Sequence, residues 1–152
     1  EPQAPTSRKR FDAMARLSEA GISTGISISP IIPGLNDEDI PELLQRARQA
    51  GAREAMSTLL RLAKSVEAVF VERMSEAFPE RFAKMTHRIQ EVRAGAMTDG
   101  AFFSRHHGTG PYWTMIEQLF RVAKRKAGFA DFDDGPVPDT FRRPGREQTR
   151  LF

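Results

Sequence analysis

The residues that could do chemistry are few and scattered. Arg105-His106-His107-Gly108-Thr109-Gly110-Pro111 sets two imidazoles beside a glycine-rich turn. Adjacent histidines on a loop seldom chelate one ion, and no acidic third ligand is suitably spaced, so no metal site is expected. Gly108 and Gly110 ahead of a helix could admit an anion at its N-terminus. The same run also serves as a turn that positions Tyr112 and Trp113 for packing. Asp131, Asp133 and Asp134 look like the start of a calcium loop, but the glutamate at its twelfth position is missing. They read as a solvated turn. Arg10 could grip a carboxylate bidentately, or could simply be a solvated helix residue.

The stretch that most needs a role is Pro30-Ile-Ile-Pro33-Gly34-Leu-Asn36-Asp37. Gly34 permits a tight turn and Pro33 fixes the backbone beside it. Asn36 or Asp37 then starts a helix. Two readings follow: a stiff loop with a helix cap, or a wall for a flat ligand lying across a strand end.

The surrounding elements decide where that loop sits. Thr6 or Ser7 caps a helix predicted to run to about Ala20, with Phe11, Met14 and Leu17 on one side. Ala20-Gly21 stops it. Thr24 to Ile32 follows as a strand rich in β-branched residues. The next helix carries Ile40, Leu43, Leu44 and Ala47 inward, with Pro41 tolerated in its first turn. Ala50-Gly51 stops it in turn, and a second strand is predicted around Ala55 to Leu62. Helix, glycine, strand, repeated, is the pattern of a parallel α/β fold, whose ligands bind at the carboxyl ends of strands. After Ser65 the rhythm becomes helical. Val66, Val69, Phe70 and Met74 mark one helix, Phe82, Met85, Ile89 and Val92 a second. A loop from Ala96 to Pro111 leads to a third, Tyr112 to Ala123, stopped by Gly128. Ala130 to Phe152 reads as an irregular tail.

Composition sets outer limits. The chain has 152 residues, 23 basic and 20 acidic, for a net charge of +3. It has no cysteine, so disulfides and thiolate ligands from this chain are excluded. That usage suits a cytoplasmic protein. No apolar run approaches the length of about 18 residues that a membrane helix needs. Basic clusters at Arg8-Lys9-Arg10, Arg121 to Lys126 and Arg142 to Arg150 would bind nucleic acid only if they converged in space. Two strands make no sheet that could cover these helices. Further strands are therefore expected upstream or from another chain, and the chain reads as the later part of a larger barrel.

A family resemblance agrees with this. Ile31 to Asp37, IIPGLND, after a strand, is similar to a run common in the second half of the partial (β/α)6 barrel of radical S-adenosylmethionine (radical SAM) enzymes. EPQAPTSRKRF, AGISTGISISPIIPGLND, AGAREAMSTLLRL, FPERFAKMTHRIQEVR and GTGPYWTMIEQLFRVAKR follow in an order that resembles the spore photoproduct lyase-like group of those enzymes. So does the tail, from Phe141-Arg-Arg-Pro-Gly145 through Leu151-Phe152. The resemblance implies S-adenosylmethionine bound across the strand ends, at Ser29, Pro30 and Ile31 and at Leu60, Arg61 and Leu62. Arg10, with Glu1-Pro2, matches a pattern near the methionine end. It also implies a [4Fe–4S] cluster held by a CxxxCxxC motif before Glu1. This chain, lacking cysteine, cannot bind that cluster by the usual thiolates and is expected to be inactive alone.

The expected architecture is thus the C-terminal part of a partial TIM-like barrel in residues 1–65, a helical extension in 66–129, and the tail in 130–152. Catalytic residues stay unassigned. Gln148-Thr-Arg-Leu151-Phe152 resembles the bacterial peptide that docks into sliding-clamp pockets. Its terminal Leu-Phe pair either meets such a partner or packs back on its own domain. The expected partners are the N-terminal half of the barrel and, if the tail reading holds, DNA and a clamp. The parent's substrate is open, with nucleic acid among the classes. The alternative is non-enzymatic: a helical binding module with a basic surface and that recognition peptide.

Overall fold

A computed structural model describes residues 4–98 and 106–130. Helix α1 spans Ser7–Glu19, and the Thr6 hydroxyl accepts from the Lys9 amide at 3.4 Å as its N-cap. Strand β1 is Gly25–Ile31, helix α2 is Ile40–Gln49 after a single 3-10 turn at Asp37–Asp39, and strand β2 is Glu54–Leu59. A second 3-10 turn, Lys64–Val66, leads into α3, Glu67–Ala77. Helices α4, Pro79–Val92, and α5, Gly110–Lys126, complete the described elements.

Three of these helices stop in the same way. Gly21, Gly51 and Gly128 have φ of +77°, +89° and +83°, which side chains rarely adopt. The residue after each glycine donates back into the last helical turn: Ile22 to Leu17, Ala52 to Ala47, Phe129 to Lys124. The Ala-Gly pairs legible in the sequence are these C-terminal caps, and the first two turn the chain straight into a strand.

The two strands pair in parallel, Gly25 with Glu54, Ser27 with Met56, and Ile31 with Leu59. The register shifts between Ile28 and Ile31. Pro30, preceded by a cis peptide bond, has no N–H to give the ladder there. Strand β2 is shorter than the sequence suggests, since Leu60 to Leu62 lie beyond it.

One face of this sheet meets the core. Ile28, Ile31, Ala55 and Leu59 pack with Ile40, Leu44 and Ala47 of α2 and with Trp113, Ile116 and Ala123 of α5. Each large aliphatic side chain so buried contributes roughly 1.5–3 kcal/mol. The same cluster takes in Val92 from α4 and Phe129 after α5, so the helices beyond Ser65 share one core with the αβαβ unit. Helix α3 lies outside it. It buries no residue fully, and Val66, Val69 and Phe78 around it are exposed.

The other face is bare among the described residues. Ser27 and Ser29 are exposed, and Met56, the register partner of Ser27, is 62% exposed. Parallel sheets are ordinarily covered on both faces. The edge of β1 away from β2 pairs with no described strand. A cavity of about 300 Å³ runs beside Gly25–Ile28, under Phe11 and Met14 of α1.

Candidate functional site

The carboxyl ends of the two strands lie together. The Leu60 amide donates to the Ile31 carbonyl at 2.8 Å, so the segment after β2 continues alongside the end of β1. Ser29 to Ile31 and Leu60 to Leu62 are therefore neighbours. They are not all surface. Ile31 and Leu62 are core residues, 1% and 4% exposed. Ser29, Pro30 and Arg61 are exposed and Leu60 is half-buried, so these four form the accessible rim.

The Pro30–Asp37 loop is held by its own side chains and by the helices behind it. Asn36 stands at the N-cap position of the 3-10 turn, but its side chain does not cap it. Its Oδ1 accepts from the Ile32 amide at 2.7 Å, and its Nδ2 donates to the Pro30 carbonyl at 3.1 Å. Asp37 is not a cap either. It is 7% exposed, accepts from the Gly34 amide at 2.8 Å through Oδ1, and accepts the Tyr112 hydroxyl at 2.5 Å through Oδ2. Burial, and after it the hydrogen bond to the Asp37 carboxylate, push the Tyr112 phenol up to about 12. The Arg88 guanidinium lies 4.2 Å from the centre of the Tyr112 ring. It pairs with Glu91 at 2.5 Å, which raises its already high pKa.

Gly34 is required at the turn. Its φ is +78°, and a Cβ there would come within 3.2–3.3 Å of Arg88 Cγ, the Lys84 carbonyl and Met85 Cα. Arg81 closes the loop from outside, donating to the Leu35 carbonyl at 3.0 Å and pairing with Glu38 at 2.7 Å.

The second loop has its own anchor. Arg93, 9% exposed, donates from Nη2 to the Leu60 carbonyl at 2.7 Å and from Nη1 to the His107 carbonyl at 3.3 Å. The Leu59 amide donates to the His106 carbonyl at 3.1 Å. Among the described residues there is no group of three or more His, Cys, Asp or Glu that could hold a metal ion. Behind the loop, a cavity of about 130 Å³ lies between Ile31, Ser57, His106 and Trp113. Among the described residues, the buried Trp113 indole N–H has no hydrogen-bond partner.

The other sequence candidates lie elsewhere. Arg10 lines the cavity beside the first residues of β1, Gly25–Ile28, and donates to the Pro5 carbonyl at 3.1 Å. Glu1, Pro2, Gln148, Leu151 and Phe152 lie outside the described residues, as do Arg105 and the Asp131–Asp134 turn. Sequence reasoning passed over Arg93, Arg88 and the Asp37–Tyr112 pair. Arg93 follows the last apolar position of α4 and carries no periodic signal, and Tyr112 reads as ordinary packing.

The chain is 29% identical over 122 residues to a protein of Pseudomonas phage M6 named radical SAM Nalpha-GlyT isomerase. The likeness points to radical SAM proteins. It covers 79% of this chain and 24% of that relative, so the chain matches about a quarter of the relative's length. No family model matches, and no solved structure matches.

The residues present can be tested against the two groups that such proteins use. Toward an adenosyl group, the rim offers the apolar surface of Pro30 and Leu60 on a scaffold fixed by hydrogen bonds. An iron–sulfur cluster does not suit this chain, which has no cysteine to hold it. Among the described residues, no helix is long and apolar enough to cross a membrane.

Proposed function

We propose that this chain is the later part of a radical SAM enzyme and supplies the strand-end wall against which S-adenosylmethionine lies. The observation that carries the reading is the joined end of two parallel strands, Ile31 to Leu60, in a chain similar to a radical SAM isomerase. Pro30 and Leu60 give an apolar surface, the Ser29 hydroxyl gives a polar contact, and Arg61 stands exposed at the margin. Ile31 and Leu62 hold that surface from beneath. When bound, S-adenosylmethionine reduced by a [4Fe–4S] cluster supplies radical chemistry, and the cluster's thiolates belong to another part of the protein.

The bare face of Ser27, Ser29 and Met56 supports an inward position in a partial (β/α)6 barrel. The open edge of β1 under α1 is where a preceding strand fits. A strand joined to β1 through α1 by the usual right-handed crossover lies on that side of it, away from β2. The finer assignment is to the spore photoproduct lyase-like group, on the ordered sequence resemblance. The relative's name brings isomerisation as an alternative reaction class. Nucleic acid as substrate, and a sliding clamp at Gln148, Leu151 and Phe152, are proposals from sequence.

A helical binding module is the second reading. The groove of about 640 Å³ between α2 and α5, with Arg48 and Lys126 on its margins, favours it. Anaerobic iron and sulfide reconstitution of the full-length protein separates the two. The enzyme reading expects cluster absorbance and 5′-deoxyadenosine under reducing conditions. A protein that stays colourless and inert, yet binds DNA with steep salt dependence, contradicts it.

A further inference from the structure

Both strand-end loops are tied to the same helix. Along α4, Arg81, Lys84, Met85 and Arg88 meet the Pro30–Asp37 loop. Arg93, directly after the helix, meets the loop that follows β2. Arg81 to Arg93 span roughly 18 Å at the rise of an α-helix. Helix α5 joins the first tie through Tyr112, whose hydroxyl reaches Asp37. It joins the second through the Thr109 amide, which donates to the Val92 carbonyl at 2.9 Å.

The chemistry of these ties is unusual for plain packing. Arg93 is a nearly buried guanidinium directed at two main-chain carbonyls from different segments. A planar fork of donors can span both, whereas a lysine ammonium cannot hold both directions. Asp37 is likewise buried, and its two oxygens are divided between the turn amide of Gly34 and the Tyr112 hydroxyl. One group holds the turn after β1, and the other holds the Leu60 carbonyl after β2.

We infer that α4 is a strut that sets the mutual orientation of the two strand-end loops, with Arg93 and Tyr112 as positioning residues for the adenosyl ligand between them. The inference rests on the proposed S-adenosylmethionine site. Neither residue touches the ligand. Arg93 acts through the Leu60 carbonyl, and Tyr112 acts through Asp37 and Gly34. The helices after Ser65 would then belong to the binding machinery.

The test is calorimetric titration of the reconstituted full-length protein with S-adenosylhomocysteine, which binds without reacting. The variants are Arg93→Lys, Tyr112→Phe, their double, and Arg73→Ala on the outer helix α3 as control. Titration is done at a temperature where circular dichroism shows each protein folded. Each single positioning variant should weaken binding about tenfold, the scale of one lost directional contact in a buried site. The double variant should lose less than the product of the two, because one strut serves both loops. Arg73→Ala should bind as the unaltered protein does. If the unaltered protein fails to bind, the proposed function falls. If it binds and the single variants bind equally well, the strut is wrong. A loss that follows falling helicity in both variants also overturns it, since that marks a structural role alone.

Discussion

The carboxyl ends of the two strands and the open side of β1 are built to different standards. At the strand ends, five side chains, those of Asn36, Asp37, Arg81, Arg93 and Tyr112, make hydrogen bonds that hold two loops. Along the open side, Ser27, Ser29 and Met56 face outward, and the edge of β1 has no described partner. Among the described residues, the loops are finished by side chains of this chain, while the edge and the bare face are not. A site that must hold a ligand in one geometry needs rigid loops, whereas a sheet edge can wait for another strand.

The packed side should respond most to mutation. Leu44 and Ile116 are wholly buried between the sheet, α2 and α5. Leu44→Ala and Ile116→Ala should each lower stability by about 3 kcal/mol in urea denaturation. Met56→Ala, on the bare face, should stay within about 0.5 kcal/mol in the 152-residue chain. In the full-length protein its cost should rise if further strands enclose that face. Equal costs for Met56→Ala and Leu44→Ala in the 152-residue chain would erase the contrast between the two sides.

Two glycines sharpen it. Gly21 and Gly34 have nearly the same φ, +77° and +78°, but a Cβ on Gly21 meets nothing within 4 Å while one on Gly34 crowds α4. Gly21→Ala should cost about 1 kcal/mol from backbone strain. Gly34→Ala should cost about 1–2 kcal/mol more, because the helix behind it must give way. Thermal denaturation of the pair isolates the contact from the strain. Equal losses would mean that α4 does not press on the loop.

The smallest effect is also the most local. Tyr112 is the single tyrosine of the chain, so its ionisation can be followed by absorbance. Its phenol is held neutral in the folded state, so the stability it gives is full below pH 10, its ordinary value, and is lost as pH rises through about 12. The midpoint should therefore fall well above 10, and Asp37→Asn should bring it down. Tyr112→Phe should cost about 1 kcal/mol, the net worth of one hydrogen bond. A midpoint near 10 in the unaltered chain would remove the Asp37–Tyr112 tie.

Much of this contrast was legible in the residues. The Ala-Gly stops, β-branched runs and apolar periodicity of α2, α4 and α5 gave the elements in order, because short-range physics fixes all three. The parallel pairing followed from the helix between the strands. Asn36 and Asp37 were misread as caps, since their composition and position suit a cap equally well. Only the arrival of Ile32, Gly34 and Tyr112 around them shows the alternative. Leu60 to Leu62 read as strand because their apolar character comes from core packing and from the Ile31 contact rather than from a ladder. Arg93 had no signal at all. A buried arginine after a helix looks the same in sequence as a solvated one.

The most direct measurement is the affinity of the reconstituted full-length protein for S-adenosylmethionine with and without Pro30→Asp. Pro30 is exposed at the rim and supports no core packing. A carboxylate there would be desolvated beside the adenine without a partner. Calorimetry should show binding weakened by at least about tenfold in a variant whose circular dichroism is unchanged. Unchanged affinity in that folded variant would contradict the assignment of S-adenosylmethionine to these strand ends.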